Sequence, residues 1–256
     1  MAACKGGLVV FAALWVAACS AGSGGSDDRR ESPAPRWPAD LLPLANWKLT
    51  LPVDTKHQGE PDEITQPDLA TFSIAPYFQL NSAADGVDFR APCGGVPTSG
   101  SSYPRSELRE MTNEGADTAS WSTTSGKHTM VLRQAILHTP LAKPDVTVAQ
   151  IHDTSDHPFA VVLQGKKLTV VANGSTVGVI DPNYELGTTY SLSFIASAGR
   201  VVVLYNDKQV LDQSFASTGC YFKAGCYTLS NPSQGDATSS YGETTIFDLK
   251  VEHQPQ

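Results

Sequence analysis

Two short stretches place polar side chains two residues apart, a spacing that puts them on one face of an extended chain. RSELREM brings Arg105, Glu107 and Arg109 to one side of a strand, and QIH does the same for Gln150 and His152. Guanidinium groups beside a carboxylate can form a rigid hydrogen-bonded network. Together the two stretches predict a polar face that carries two cations, an amide and an imidazole.

A third stretch, YFKAGCY, has the same alternation. Tyr221, Lys223 and Tyr227 share one parity, and Gly225 between them is expected to leave open space on that face. The intervening residues, Phe222, Ala224 and Cys226, are expected to enter the core. In the strand that ends with QIH, the residues expected to point away from the polar face are Thr147, Ala149 and Ile151.

These side chains have the parts needed for β-elimination on an acidic sugar. Arg105 and the amide of Gln150 can neutralise a substrate carboxylate, which stabilises the negative charge that builds as the adjacent carbon loses its proton. Histidine titrates near neutrality, so His152 can take that proton. Tyr227 can donate a proton to the departing glycosidic oxygen. Such a reaction needs no metal, cofactor or nucleophile.

Other chemistries fit the sequence less well. Glycoside hydrolysis uses two carboxyl groups about 5–10 Å apart, whereas Glu107 and Glu110 in ELRE fall on opposite faces of a strand. The chain has no G-x-S-x-G stretch for a serine nucleophile, and no CxxC or His/Cys cluster that would predict a metal site. A formal charge of −8 argues against nucleic acid as a partner.

The elements around these stretches are short strands rich in β-branched and aromatic residues, separated by turn residues. About eleven such strands follow residue 41 without alternating helices, and PDLA (67–70) is the clearest candidate for a helical turn. The pattern predicts an all-β fold, an antiparallel two-sheet β-jelly roll or sandwich with a concave substrate groove.

The first 40 residues differ in composition from the rest. Lys5 precedes an apolar run too short to span a bilayer permanently, so residues 1–18 are predicted to be a signal peptide. VAAC, ending at Cys19, is typical of a lipoprotein cleavage site; ordinary cleavage nearby is the alternative. Residues 19–40 are predicted to form a flexible tether, and 41–256 the folded domain. We expect a monomer, secreted or lipid-anchored at the bacterial cell envelope, that meets the membrane only through that anchor.

Three cysteines lie in the predicted domain: Cys93, Cys220 and Cys226. An exported chain can keep a disulfide, but three cysteines leave one over. Cys220 and Cys226 can pair only if the backbone between them bends, because a disulfide needs Cα atoms within about 7 Å. The sequence leaves the pairing open.

YPRSELRE, QIH and YFKAGCY resemble, in order, the three signature regions of polysaccharide lyase family seven, the alginate lyases with a β-jelly-roll fold. The resemblance runs from about residue 45 to the C-terminus. It implies that Arg105 and Gln150 neutralise the substrate carboxylate, that His152 is the base and that Tyr227 is the acid. For mannuronate, it implies that the tyrosine also serves as base. The residues that match groove-lining or supporting positions are Glu107, Arg109, Tyr221 and Lys223.

The sequence leaves the substrate preference and the cleavage mode open. Ile151 resembles the subgroup that acts on guluronate-containing blocks, although it should point away from the groove. Leu229 stands where the third motif of the family usually continues with glutamine. The sequence does not determine whether cleavage is endo or exo. The alternatives to an alginate lyase are a non-catalytic carbohydrate-binding sandwich and a lyase for another polyuronate such as glucuronan. His157 is the rival candidate for the base.

Overall fold

Alternation of apolar and polar residues gives many of the strands one buried face. In the strand Val87–Pro92, Val87, Phe89 and Ala91 are fully buried while the residues between them are partly exposed. The computed structural model describes residues 34–154 and 159–255. Within them the chain is almost entirely β, as the sequence predicts.

The described residues contain one short helix, three 3-10 turns and sixteen strands. The helix is α1 (Pro38–Leu41), and the 3-10 turns are Leu44–Asn46, Asp68–Thr71 and Pro232–Gln234. The strands are β1 (Trp47–Thr50), β2 (Glu63–Ile64), β3 (Phe78–Leu80), β4 (Val87–Pro92), β5 (Arg105–Thr112), β6 (Asp117–Thr118), β7 (Lys127–His138), β8 (Asp145–His152), β9 (Phe159–Gln164), β10 (Lys167–Ala172), β11 (Ser175–Asp181), β12 (Tyr190–Ser197), β13 (Arg200–Tyr205), β14 (Lys208–Ser214), β15 (Tyr221–Thr228) and β16 (Tyr241–Gln254).

The strands form two antiparallel sheets. Sheet I has the order β11-β10-β9-β8-β15-β5-β1-β2, with β6 paired to β5, and sheet II has the order β14-β13-β12-β7-β16-β4-β3. The two-sheet β-jelly-roll prediction is confirmed. Because β15 lies between β8 and β5, the three polar stretches of the sequence become neighbours in sheet I.

The core lies between the two sheets and fixes which side of sheet I faces outward. Leu108 of β5, Ile151 of β8 and Phe222 and Ala224 of β15 are fully buried in it. Residues of the opposite parity on these strands therefore occupy the face turned away from sheet II. The predicted core positions on β15, and Ala149 and Ile151 on β8, are confirmed.

A β-bulge corrects one prediction about β8. The register with β9 shifts between Thr147 and Ala149, and Val146, Val148 and Ala149 all belong to the core. The extra residue reverses the parity, so Thr147 lies directly opposite Tyr227 of β15. Thr147 is therefore on the outward polar face and not on the core side.

Gly225 corrects a second prediction. Its φ is +139°, and a Cβ added there would meet the carbonyl oxygen of Ser106 at 2.5 Å and the Cα of Glu107 at 2.9 Å. The glycine does not leave open space; it allows β15 to pass close to β5 at the point where the register of β15 with β8 shifts.

The N-terminal predictions lie mostly outside the described residues. The predicted signal peptide, Cys19 and the tether through residue 33 belong to the part of the chain that is not described. Residues 34–256 form one compact unit, and α1 with buried Pro38 begins ahead of the expected boundary at residue 41. No helix of the described residues is long and apolar enough to cross a membrane.

The three cysteines of the domain are free and buried. Burial raises the pKa of each thiol, to about 12 for Cys226. High thiol pKa values and burial make these groups poor nucleophiles. Their places in the fold are those of small core residues.

Candidate active site

The outward face of β5, β15 and β8 carries all eight side chains predicted to form the site. β15 pairs with β8 on one side and with β5 on the other, both antiparallel. The pairs across the strands are Tyr221 with His152, Lys223 with Gln150 and Arg109, Gly225 with Glu107, and Tyr227 with Arg105 and Thr147. The structure thus joins three stretches that are far apart in sequence into one polar surface.

Glu107 is the centre of this surface. Its carboxylate lies 2.5 Å from the ammonium Nζ of Lys223, accepts a 2.6 Å hydrogen bond from Nε2 of Gln150 and lies 3.2 Å from a guanidinium nitrogen of Arg105. Glu107 is 1% exposed and its three partners are less than 9% exposed. We call these four residues the Glu107 cluster. Charged and amide donors are thereby held in fixed positions on a largely buried platform.

The charges of the Glu107 cluster shift the titration of its members. Burial alone would raise the pKa of Glu107, but the Lys223 and Arg105 charges and the hydrogen bonds from Lys223 and Gln150 outweigh it and hold the pKa below its usual value. Burial lowers the pKa of Lys223 to about 8, with the attraction of Glu107 working against that shift. At neutral pH the cluster is an ionised carboxylate with two cations around it.

The cluster keeps hydrogen-bonding capacity beyond its internal bonds. The guanidinium Nε of Arg105 is buried without a hydrogen-bond partner. Gln150 uses one N–H for Glu107, and a primary amide carries two. A carboxylate placed over the cluster meets net positive charge and donors that are already oriented.

His152 ends β8, and two of its contacts are made by Nδ1. Its Nδ1 lies 2.8 Å from the carbonyl oxygen of Asp153 and 3.1 Å from the hydroxyl of Tyr221, and its ring stacks on that of Tyr221 at 5.2 Å. A carbonyl only accepts, so Nδ1 carries the proton in the neutral ring and Nε2 carries the lone pair. The half-buried ring can therefore take a proton at Nε2.

Arg109 and Tyr221 extend the surface beyond His152. The guanidinium of Arg109 lies 4.0 Å above the Tyr221 ring, a cation–π contact, and donates to the carbonyl of Glu110. Burial raises the pKa of Tyr221, and the nearby Arg109 charge opposes this shift. The tyrosine thus stays a neutral phenol that supports the histidine ring.

Tyr227 lies at the opposite end of the Glu107 cluster from His152. The guanidinium of Arg105 packs 3.9 Å above its ring, and its hydroxyl is 2.7 Å from Oγ of Ser101. Ser101 belongs to the connection between β4 and β5. The ring is fixed from above by a cation and at its oxygen by a hydroxyl.

Three residues near Tyr227 were missed by sequence reasoning. Tyr103 has its ring 6.4 Å from that of Tyr227, and Nζ of Lys143 lies 5.1 Å from the Tyr103 ring. Both come from loops, where strand alternation makes no prediction. Ser101, in the same loop as Tyr103, is the third, and no signal in TSGSSYP marks it.

Ile151 lies on the core side of sheet I and Leu229 on the groove side, as the sequence predicts. Ile151 is fully buried in the core, so it reaches the groove only through its neighbours. Leu229 follows β15, donates its N–H to the carbonyl of Asp145 and is half-buried; the preceding Thr228 points inward to the carbonyl of Ala91. Leu229 therefore keeps the groove-side parity of Tyr227.

His157, the rival histidine, lies outside the described residues. Among residues 34–154 and 159–255, no group of three or more His, Cys, Asp or Glu side chains could hold a metal ion. The groups available for chemistry on the described face are therefore the side chains of β5, β8 and β15 and of the adjoining loops.

Comparison with known proteins identifies the family. The model of the family described as "Alginate lyase" matches residues 41–253, most of the chain. The chain belongs to this family. It is a polysaccharide lyase, as its three polar stretches indicate.

Solved alginate lyases have the same fold. Alginate lyase AlgAT5 of polysaccharide lyase family 7 is 48% identical, with a TM-score of 0.82 over 85% of this chain and 99% of that one. The alginate lyase from Corynebacterium sp. is 44% identical, with a TM-score of 0.81 over 85% and 98% of the two chains. The alginate lyase from Klebsiella pneumoniae is 26% identical over 86% of this chain and 92% of that one.

Proposed function

We propose that this alginate lyase performs β-elimination on its outward polar face with Arg105, Gln150, His152 and Tyr227. One observation carries the proposal: the Glu107 cluster presents oriented cationic and amide donors between a histidine with its lone pair at Nε2 and a fixed tyrosine hydroxyl. A binding module needs the donors but neither the base nor the acid. The full set therefore favours the enzyme over a non-catalytic carbohydrate-binding sandwich.

The elimination balances with these groups alone. Arg105 and Gln150 neutralise the uronate carboxylate, so negative charge can build there when the adjacent carbon loses its proton to Nε2 of His152. The electron pair of that C–H bond forms the new C=C bond, and the glycosidic C–O bond breaks. Tyr227 gives its proton to the departing oxygen. The product carries an unsaturated uronate at its new end.

The roles of histidine and tyrosine are tested by single substitutions. We expect His152→Ala and Tyr227→Phe to lose turnover by at least about 100-fold, since positioned acid–base catalysis contributes roughly 10²–10⁴-fold, while thermal unfolding stays near that of the wild type. His157→Ala is the matched control and should keep its kcat. Near wild-type kcat in either site variant would show that its assigned role is wrong.

The substrate is tested by measuring near-ultraviolet absorbance of the unsaturated product. Alginate, polyguluronate, polymannuronate and glucuronan are incubated separately with the enzyme. We expect absorbance to rise with alginate and faster with polyguluronate than with polymannuronate, because the QIH stretch resembles the guluronate-acting subgroup. A rise with glucuronan alone would favour the other-polyuronate reading, and no rise with any polymer would rule out the lyase reading.

We also propose that the mature protein is an exported monomer, secreted or anchored by a lipid at Cys19. The support is the short apolar run and VAAC in residues 1–19, followed by a Gly/Ser-rich stretch. Mass spectrometry of the mature protein should find lipidated Cys19 as its first residue, and Cys19→Ser should release the protein from membranes. An unmodified mature chain starting elsewhere would contradict the anchor.

A further inference from the structure

Tyr227 is held at its reactive atom by a residue to which no role has been assigned. Its hydroxyl forms a 2.7 Å hydrogen bond with Oγ of Ser101, a half-buried serine in the connection between β4 and β5. This is a side-chain contact between a loop and the centre of sheet I. It therefore sets where the phenol oxygen lies.

The surroundings of Ser101 let it serve the tyrosine in both protonation states. Oγ accepts the N–H of Tyr103 at 3.0 Å and lies 3.2 Å from the carbonyl oxygen of Tyr103. A serine hydroxyl has one proton and two lone pairs. It can accept from the phenol while donating to the Tyr103 carbonyl, or it can turn its proton toward the tyrosine oxygen.

The loop that carries Ser101 is itself fixed. Nδ2 of Asn231 donates a 2.8 Å hydrogen bond to the carbonyl of Ser102, and a β-bridge joins Pro97 to Pro104. Arg105, which immediately follows this loop, packs over the Tyr227 ring. The serine and the tyrosine are thus held on both sides of their hydrogen bond.

We propose that Ser101 is a positioning residue that orients Tyr227 and stabilises the phenolate formed when Tyr227 acts as the acid; the proposal rests on the role of Tyr227 proposed above. The phenol O–H bond breaks as its proton moves to the departing glycosidic oxygen. The serine proton then turns from the Tyr103 carbonyl to the phenolate oxygen without leaving the serine. Solvent returns the proton held by His152 to the tyrosine, so the cycle needs no further reactant.

Several ionisable groups lie near Tyr227 and can affect how its proton donation depends on pH. Those on the outward side of the strands around Tyr227 are Arg105, Glu107 and Arg109 on β5, Asp145 and His152 on β8, and Tyr221 and Lys223 on β15, and the adjoining loops add Tyr103 and Lys143. Ser101 differs from all of them because it is the hydroxyl in contact with the phenol oxygen.

The test is Ser101→Ala in the full chain, assayed on alginate. We expect kcat to fall about 10- to 100-fold, the effect of losing one hydrogen bond to a charged group, with KM changed less than about twofold. The alkaline limb of the kcat–pH profile should move upward by about one pH unit, because a phenolate without the serine donor is harder to form. A merely structural role would not move that limb.

Two variants serve as controls. Ser102→Ala alters the exposed neighbouring serine but keeps the backbone carbonyl that binds Asn231, so it should match the wild type. Ser101→Thr keeps the hydroxyl and should restore most of the kcat. Should Ser101→Ala fail to fold, Ser101→Cys keeps the shape with a weaker donor, and its kcat should lie between those of wild type and Tyr227→Phe.

The outcomes separate this inference from the proposed function. Full turnover in Tyr227→Phe would overturn the role of the tyrosine and the inference with it. An inactive Tyr227→Phe combined with wild-type kcat and pH profile in Ser101→Ala would overturn the role of Ser101 alone. The same holds if Ser101→Ala raises KM without lowering kcat. In the Tyr227→Phe background, Ser101→Ala should change neither residual turnover nor oligosaccharide binding.

Discussion

Arg105 makes two different contacts in the site. One guanidinium nitrogen pairs with Glu107, and the same group packs on the ring of Tyr227, which leaves its buried Nε unsatisfied. A buried donor without a partner costs free energy. The contacts with Glu107 and Tyr227 nevertheless hold the guanidinium in one place on the face proposed to bind the substrate carboxylate.

Arg105→Ala should therefore act on the transition state. We expect kcat to fall about 10²–10³-fold, by analogy with the removal of one oxyanion donor. Arg200→Ala, which removes an exposed pair with Asp212 on the other sheet, should leave kcat unchanged. Separate measurement of kcat and KM tests this prediction. A rise in KM at unchanged kcat would show that Arg105 binds the substrate and the transition state equally well.

The lowered pKa of Lys223 predicts that substrate binding depends on pH. Its pKa is lowered to about 8, first by burial, so its ammonium is charged below that pH and loses its proton above it. Binding of a polyanion should weaken as that charge disappears, and KM should approach a tenfold rise at pH 9. Lys223→Met should have a higher KM that no longer rises over this range. A flat wild-type KM from pH 7 to 9.5 would contradict the prediction.

At the scale of elements, Glu107 joins three strands. It is on β5, Lys223 is on β15 and Gln150 is on β8, so a single carboxylate cross-links three strands on the outward face. Breaking a buried ion pair by removing one partner is costly because the other charge stays buried. The cluster thus contributes to stability as well as to the site.

Glu107→Gln should lower the free energy of unfolding by about 3–5 kcal/mol, measured by denaturant titration. Glu63→Gln, in the exposed pair with Lys48, should cost about 1 kcal/mol or less. Because the pKa of Glu107 is lowered in the folded state, its contribution is present at neutral pH and disappears as pH falls below about 4.5. Equal stability losses in the two variants would show that the cluster is not a structural link.

At the scale of the whole molecule, charge is unevenly distributed. The chain carries −8 overall, yet the site places Arg105 and Lys223 around one carboxylate, with Arg109 opposite Lys223 on the same face. Since the Debye length is about 8 Å at physiological ionic strength, a bound polyuronate responds mainly to these nearby cations. The acidic remainder of the surface affects it far less.

A chain that begins at residue 34 should fold and act like the full protein. Residues 34–256 form one compact unit, and every residue assigned to the site lies within it. We expect kcat/KM on alginate to stay within about twofold of the full chain, and the thermal midpoint to be unchanged. A large loss of activity in this shorter chain would show that the N-terminal region takes part in substrate binding.

Much of the site could be read from the sequence because strand alternation is a local property. Side chains two residues apart share a face whatever the neighbouring strands are, so Gln150 with His152, and Tyr221 with Lys223, were grouped correctly. The same rule failed at Thr147, where a bulge inserts one residue. Bulges depend on pairing with the adjacent strands, here on the register shifts of β8 with β9 and of β15 with β8.

The sequence by itself determined the all-β class, the polar faces of the three key strands and, through its motifs, the family. Only the tertiary structure decided that β15 lies between β8 and β5, that Glu107 binds the donors of all three strands, and that Ser101 reaches the hydroxyl of Tyr227. The physical reason is the distance along the chain over which each feature is determined. Alternation and charge are properties of a single strand, whereas strand order, bulges and loop contacts arise from contacts between different segments, and Ser101 and Tyr227 are 126 residues apart.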